Sequence, residues 1–164
     1  MKKYRTQRIL CDDPQNTVFE AEVTLNKTRY KTLVNSNNKI TCSSESVTIF
    51  RPFFNQNIPL LKEYVWAMYL NSQNKVICVY KISEGSIGAA TVDYLLIAVT
   101  AVKLLAKSVI VAHNHPSGNL QPSRADELLT EKLKNGLAFL EINLLDHVII
   151  TEDSFFSFAD EGKL

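Results

Sequence analysis

From residue 62 onward the spacing of hydrophobic and polar positions changes several times, and each change marks an element. "KEYVWAMYLNSQNKVICVYKIS" (62–83) is two strand-like runs around "NSQN", a polar turn of hairpin length. "EGSIGAATVD" (84–93) predicts a glycine-containing loop. It leads into "YLLIAVTAVKLLA" (94–106), apolar enough to predict a largely buried helix. "SVIVA" (108–112) is a short, wholly apolar run of the kind found in central strands covered on both faces. "SRADELLTEKLKNGLAFL" (123–140) has leucines at helical spacing and predicts an amphipathic helix. "INLLDHVIITEDSFFSFAD" (142–160) closes the pattern as two strands around "TEDS".

The upstream pattern is weaker. "VFEAEVTLNKTRYKTLV" (18–34) is rich in β-branched residues with partial alternation and predicts one or two strands. "CSSESVTIFRPFF" (42–54) offers serine caps and then an apolar stripe, a short helix stopped or kinked near Pro52. "NQNIPL" (55–60) reads as a connection. The order predicts an α/β (α+β) sandwich, with helices packed on a curved mixed β-sheet. It also predicts an accessory strand-and-helix segment over 1–58 and a main domain over 59–164.

Composition narrows the classes. Of 164 residues, 46% are apolar and 21% charged, enough to bury a core without disulfides or a structural metal. Net charge is +1, from 18 basic and 17 acidic residues, so overall charge gives no sign of a phosphate-binding surface. The densest basic run, "MKKYRTQR", reads as a flexible, solvated terminus. Cys11, Cys42 and Cys78 are scattered and odd in number, which points to a reducing, cytoplasmic setting and away from a thiolate zinc site. No secretory h-region and no membrane-length apolar stretch is present in the sequence.

The chemistry concentrates in "HNHPSGNLQPSRAD" (113–126). Side chains two apart on a strand point the same way, so His113 and His115 can offer two imidazoles to one metal ion. "PSGNLQP" lets the chain turn, and Asp126 then falls in the first turn of the following helix, able to reach back and complete a three-ligand set. Three protein ligands leave a fourth position for water, the mark of catalytic rather than structural zinc, and zinc lowers water's pKa towards roughly 7. "SRAD" also has the form of a helix-capping arrangement with Ser123 as cap. Capping and ligation are compatible because they use different atoms. His147, beside Asp146, has a structural reading and a second as a partner supporting the site, and stands outside the ligand set.

"HNHPSGNLQPSRAD", "LLDHVIIT" and "SFADEGKL" together resemble the RadC-like JAB (JAMM/MPN) proteins, over roughly residues 60–164. The resemblance implies a cytidine deaminase-like JAMM fold and a zinc metallohydrolase that cleaves peptide or isopeptide bonds in a protein or peptide substrate. It implies His113, His115 and Asp126 as zinc ligands and Ser123 as a donor to the developing oxyanion. It also requires an upstream glutamate as general base. Glu63, opening "EYVWAMYL", is chosen over Glu84 in "SEGS", because a strand fixes a base better than a glycine loop does.

Other readings of the same residues stay open. The family carries a "DNA repair" label, which suggests a nucleic-acid role, yet the near-neutral charge does not favour it and the adjacent histidines do not match the spread signature of HNH nucleases. A non-catalytic MPN binding module is a further alternative, although the ligand residues are retained. Two histidines and a carboxylate also suit non-haem iron.

Overall fold

A computed structural model describes two N-terminal strands together with residues 39–55, 62–85 and 92–164. The first strands, β1 (Arg8–Asp12) and β2 (Val18–Glu22), pair antiparallel as a two-stranded sheet of their own. β2 falls in the stretch whose pattern predicts strands, whereas alternation along the chain gives no notice of β1. The rest of "VFEAEVTLNKTRYKTLV", the start of the basic run, the connection 56–60 and the loop core 86–91 lie outside the described residues. Compactness divides the chain into Met1–Thr32 and Leu33–Leu164.

The second unit contains α1 (Ser43–Asn55), β3 (Tyr64–Leu70), β4 (Val76–Glu84), α2 (Tyr94–Lys103), β5 (Ser108–Asn114), α3 (Arg124–Phe139), β6 (Asn143–Ile150) and β7 (Phe155–Ser157). Its sheet runs β4-β3-β5-β6-β7. β5 and β6 are parallel and every other pair is antiparallel, giving the expected mixed sheet. Alternation along the strands splits the core in two. Val65, Ala67 and Tyr69 of β3 with Val109 and Val111 of β5 face Ile97 and Ala101 of α2 and Leu129, Leu133 and Leu137 of α3. On the other face, Met68, Leu70, Ile110, Ala112 and Val148 meet Val47, Phe50, Phe53 and Phe54 of α1.

Helix α1 packs on this second sheet face. Arg51 ties the helix to the β6–β7 turn by donating to the carbonyls of Thr151 (3.0 Å), Glu152 (2.7 Å) and Ser154 (3.2 Å). Pro52 does not stop the helix at once. It lies in the last turn, where its missing N–H breaks only one bond, and the helix ends three residues later at Asn55.

Helix α2 differs from expectation. Only Ile97 and Ala101 are buried, while Leu95, Val99 and Val102 are exposed. Apolarity on all sides of a helix does not bury it when only one flank meets the sheet. The helix is also shorter than its apolar run, ending at Lys103, after which Leu105 adopts a left-handed φ of 52°. Among the described residues no helix is long and apolar enough to cross a membrane.

Candidate metal centre

The site forms where β5 ends and α3 begins. β5 is central and completely buried along its length, so its last residues leave the core from a fixed frame. The backbone N–H of His115 continues that frame by donating to the Ile150 carbonyl (3.2 Å). A tight turn follows, closed by Gly118 N–H on the His115 carbonyl (3.1 Å), and Gly118 has a φ of 75° that a side chain would strain. Ser123 then caps α3: its hydroxyl accepts from the Asp126 N–H (3.2 Å), and Asp126 Oδ2 accepts from the Ser123 N–H (2.7 Å) and hydroxyl (2.6 Å).

The capping arrangement and the candidate ligand set thus coexist on one carboxylate. Oδ2 is engaged at the cap, while Oδ1 lies 3.3 Å from His113 Nε2. His115 Nε2 stands 3.0 Å from His113 Nε2 and 3.6 Å from Asp126 Oδ2. One ligand atom from each of His113, His115 and Asp126 lies within 4.8 Å of the others. The donor set suits a divalent ion: two imidazole nitrogens and one carboxylate oxygen, with His115 oriented by its Nδ1 on the Asn119 carbonyl (2.6 Å).

Electrostatics follow from this crowding. Burial drives the His113 pKa down to about 4, the Asp126 charge opposing it and His115 adding to it. Asp126 pulls His115 the other way, above its ordinary value, chiefly through their hydrogen bond. For Asp126, burial alone would raise the pKa, but His115, the charge on His113 and the bonds from Ser123 hold it far below the usual carboxylate range.

Glu63 and Glu84 part company. Glu63 lines a cavity of about 150 Å³ together with His113 and Asp126, walled by Val65, Val92, Tyr94 and Leu129. Its charge reaches His115, where it helps raise the pKa. It sits one residue before β3 rather than inside it, and its backbone is held by neighbours: Asn114 Oδ1 accepts from the Tyr64 N–H (2.7 Å), Asn114 Nδ2 donates to the Lys62 carbonyl (2.9 Å), and Gly85 N–H donates to the Glu63 carbonyl (2.9 Å). Glu84 instead pairs with Lys62 (3.2 Å) and Lys81 (3.0 Å) on an exposed strand end, and these bonds lower its pKa.

Three further residues support this site: Asn114 and Thr130, which the sequence did not single out, and His147, for which it left a structural and a supporting reading. Asn114, the middle letter of "HNH", is fully buried and clamps the backbone on both sides of Glu63. His147 is also fully buried, its Nε2 2.8 Å from His113 Nδ1 and its Nδ1 2.7 Å from the Thr130 hydroxyl. Burial holds the His147 pKa well below its ordinary value. Thr130 was legible only as one more polar position on an amphipathic helix, although it lies one turn after Asp126 on the face that carries Leu133 and Leu137. Asp146 does not touch the His147 ring. It accepts from the His147 N–H (2.8 Å), the Ala159 N–H (3.0 Å) and the Ser157 hydroxyl (2.7 Å), and burial raises its pKa.

Comparison with known proteins agrees with the motif. Residues 40–163 match the family described as the RadC-like JAB domain. A UPF0758 protein of Flavobacterium johnsoniae is 41% identical over 124 residues, 76% of this chain and 53% of its own length. One from Porphyromonas gingivalis is 39% identical over 125 residues, 73% of this chain and 55% of its own. A third, from Streptococcus suis, is 43% identical over 103 residues, 63% of this chain and 42% of its own. The chain spans about half the length of the curated relatives it matches.

Proposed function

The chain belongs to the RadC-like JAB domain family, and on that premise we propose that it is a zinc-dependent hydrolase of peptide or isopeptide bonds. The observation that carries this reading is a convergence of acceptors. The His115 Nδ1 faces a carbonyl oxygen, which can only accept, so a neutral His115 has its lone pair on Nε2. That lone pair is directed at His113 Nε2, 3.0 Å away, and at an ionised carboxylate. Such a cluster requires a cation or a shared proton, and His113, His115 and Asp126 would hold zinc there. Bound zinc supplies Lewis acidity and a water that ionises near neutral pH.

The chain's own residues do the rest. Glu63, across the cavity, takes the proton of the attacking water on its carboxylate and returns it to the leaving amine. Ser123 donates its hydroxyl to the developing oxyanion, which requires the hydroxyl to turn away from Asp126 Oδ2. Among the described residues that line the cavity there is no lysine or arginine, which favours a neutral amide over a phosphodiester as the bond attacked. The free thiols of Cys42 and Cys78 are consistent with action on proteins in a reducing, cytoplasmic compartment.

Elemental analysis should find about one zinc per chain, lost in His113→Ala and in Asp126→Ala. A wild-type protein that neither carries nor takes up zinc overturns the reading. Glu63→Gln should retain zinc and lose hydrolysis of peptide or isopeptide substrates; full activity in that variant reassigns the base.

A further inference from the structure

We propose that Thr130 and His147 are positioning residues that fix His113 in its Nδ1–H tautomer, leaving its Nε2 as a bare lone pair towards His115 and Asp126. The inference rests on the metal-centre reading for its purpose, but its geometry stands apart from any metal. It begins at a group with no choice. The Asp126 backbone carbonyl can only accept, and the Thr130 hydroxyl lies 2.7 Å from it, so the single hydroxyl proton is committed there. Facing His147 Nδ1 at 2.7 Å, the Thr130 oxygen can then only accept, and Nδ1 must carry a proton.

His147 is fully buried, and its ring nitrogens meet a hydroxyl and an imidazole, with no carboxylate on either. A neutral ring protonated at Nδ1 has a lone pair at Nε2. His113 Nδ1, 2.8 Å away, must therefore be the donor, and its proton cannot also be on Nε2 while the ring is neutral. Phe158 stacks flat on the His147 ring, at 4.8 Å and 10°, and fixes its orientation. The chain of bonds starts and ends on one residue: the backbone of Asp126 sets the tautomer of the histidine that its own side chain faces. A metal-ligating histidine is commonly oriented by a carboxylate or carbonyl on its far nitrogen. Here a second neutral histidine and a hydroxyl take that place.

Loss of the Thr130 acceptor should run the relay backwards. A buried His147 Nδ1–H without a partner is unfavourable. The proton is better placed on Nε2, where it donates to His113 Nδ1 and pushes the His113 proton onto Nε2. That nitrogen is then blocked.

The test uses the full chain, treated with chelator and labelled with 15N at histidine, observed by long-range 1H–15N correlation spectra above neutral pH. His113 and His147 should both show a protonated Nδ1 and an unprotonated Nε2. Thr130→Val, which keeps shape and removes the hydroxyl, should move both rings to the other tautomer or a mixture and weaken zinc affinity by about 10- to 100-fold. Thr130→Ser should restore the wild-type spectrum and affinity. A protonated His113 Nε2 in the wild-type chain overturns the relay even if zinc binds. Unchanged tautomers and zinc affinity in a folded Thr130→Val protein overturn it as well. The expected tautomers in a chain that takes up no zinc uphold the relay and defeat only the metal reading.

Discussion

Acid should destabilise the metal-free protein well before Asp126 is protonated, because the site buries neutral histidines. Burial holds His113 at about 4 against an ordinary 6.5. Between those values the unfolded chain binds a proton that the folded chain refuses, so stability falls as pH drops through the window. The gap caps the loss from His113 at about 3 kcal/mol, of which about 2 kcal/mol is expressed by about pH 5. His147, also depressed by burial, adds a loss of the same sign. His115, raised chiefly by its bond to Asp126, works the other way. Its stabilisation is complete below the unfolded value and disappears as pH rises through the raised one, so it acts near neutrality. Asp126, held low despite its burial, gives up its stabilisation only at more acid pH. The assay is urea unfolding of chelator-treated protein at about pH 7 and pH 5, followed by the fluorescence of Trp66, which packs half-buried against Phe53 at 4.9 Å. His113→Gln should flatten the dependence by its share. A midpoint at pH 5 equal to or above that at pH 7 refutes the assignment of buried neutral histidines.

Asp146→Ala leaves two buried donors, the His147 N–H and the Ser157 hydroxyl, and the part-buried Ala159 N–H without their acceptor; at about 1–3 kcal/mol for each buried orphan the domain should lose at least about 2 kcal/mol, read from the urea midpoint, with Asp146→Asn milder. Phe158→Ala should cost about 3–5 kcal/mol in the same measurement, whereas Phe139→Ala, at a side chain 90% exposed, should stay within about 0.5 kcal/mol.

What the sequence could announce depended on whether a residue's neighbours are close along the chain. His113, His115, Ser123 and Asp126 lie within fourteen positions, and strand and helix periodicity alone bring them to one end of β5. The hairpin, the central strand and α3 were legible for the same reason. Glu63 needed a choice between two glutamates, which the sequence could make only by preferring a strand over a loop. The property that separates them is the pair of lysines around Glu84 and the clamp of Asn114 around Glu63, neither visible in spacing. His147 was ambiguous because an Asp–His pair reads alike whether the ring meets the carboxylate or turns away from it. It turns away, to a residue 34 positions earlier. The exposed flank of α2 was hidden for a related reason: composition gives a helix its apolarity, but the number of faces it buries is set by what packs around it.

The carboxylate that would complete the ligand set is also the N3 partner of the α3 cap, and the hydroxyl one turn later both bonds its carbonyl and faces His147. The start of α3 and the geometry at His113 are thus parts of one hydrogen-bonded unit, so neither can shift alone. Any cation held by His113, His115 and Asp126 must stabilise the first turn of α3 by mass action, in proportion to the logarithm of its concentration over its dissociation constant. Conversely, a cap that frays releases Asp126 Oδ2 from Ser123, turns the carboxylate and takes Oδ1 away from His113. Ser123 therefore acts on the site before any substrate arrives. Ser123→Ala should lower stability by about 1 kcal/mol and weaken zinc binding as well, and Ser123→Thr should recover both; a Ser123→Ala protein that loses hydrolysis alone would confine the residue to the oxyanion and remove this coupling.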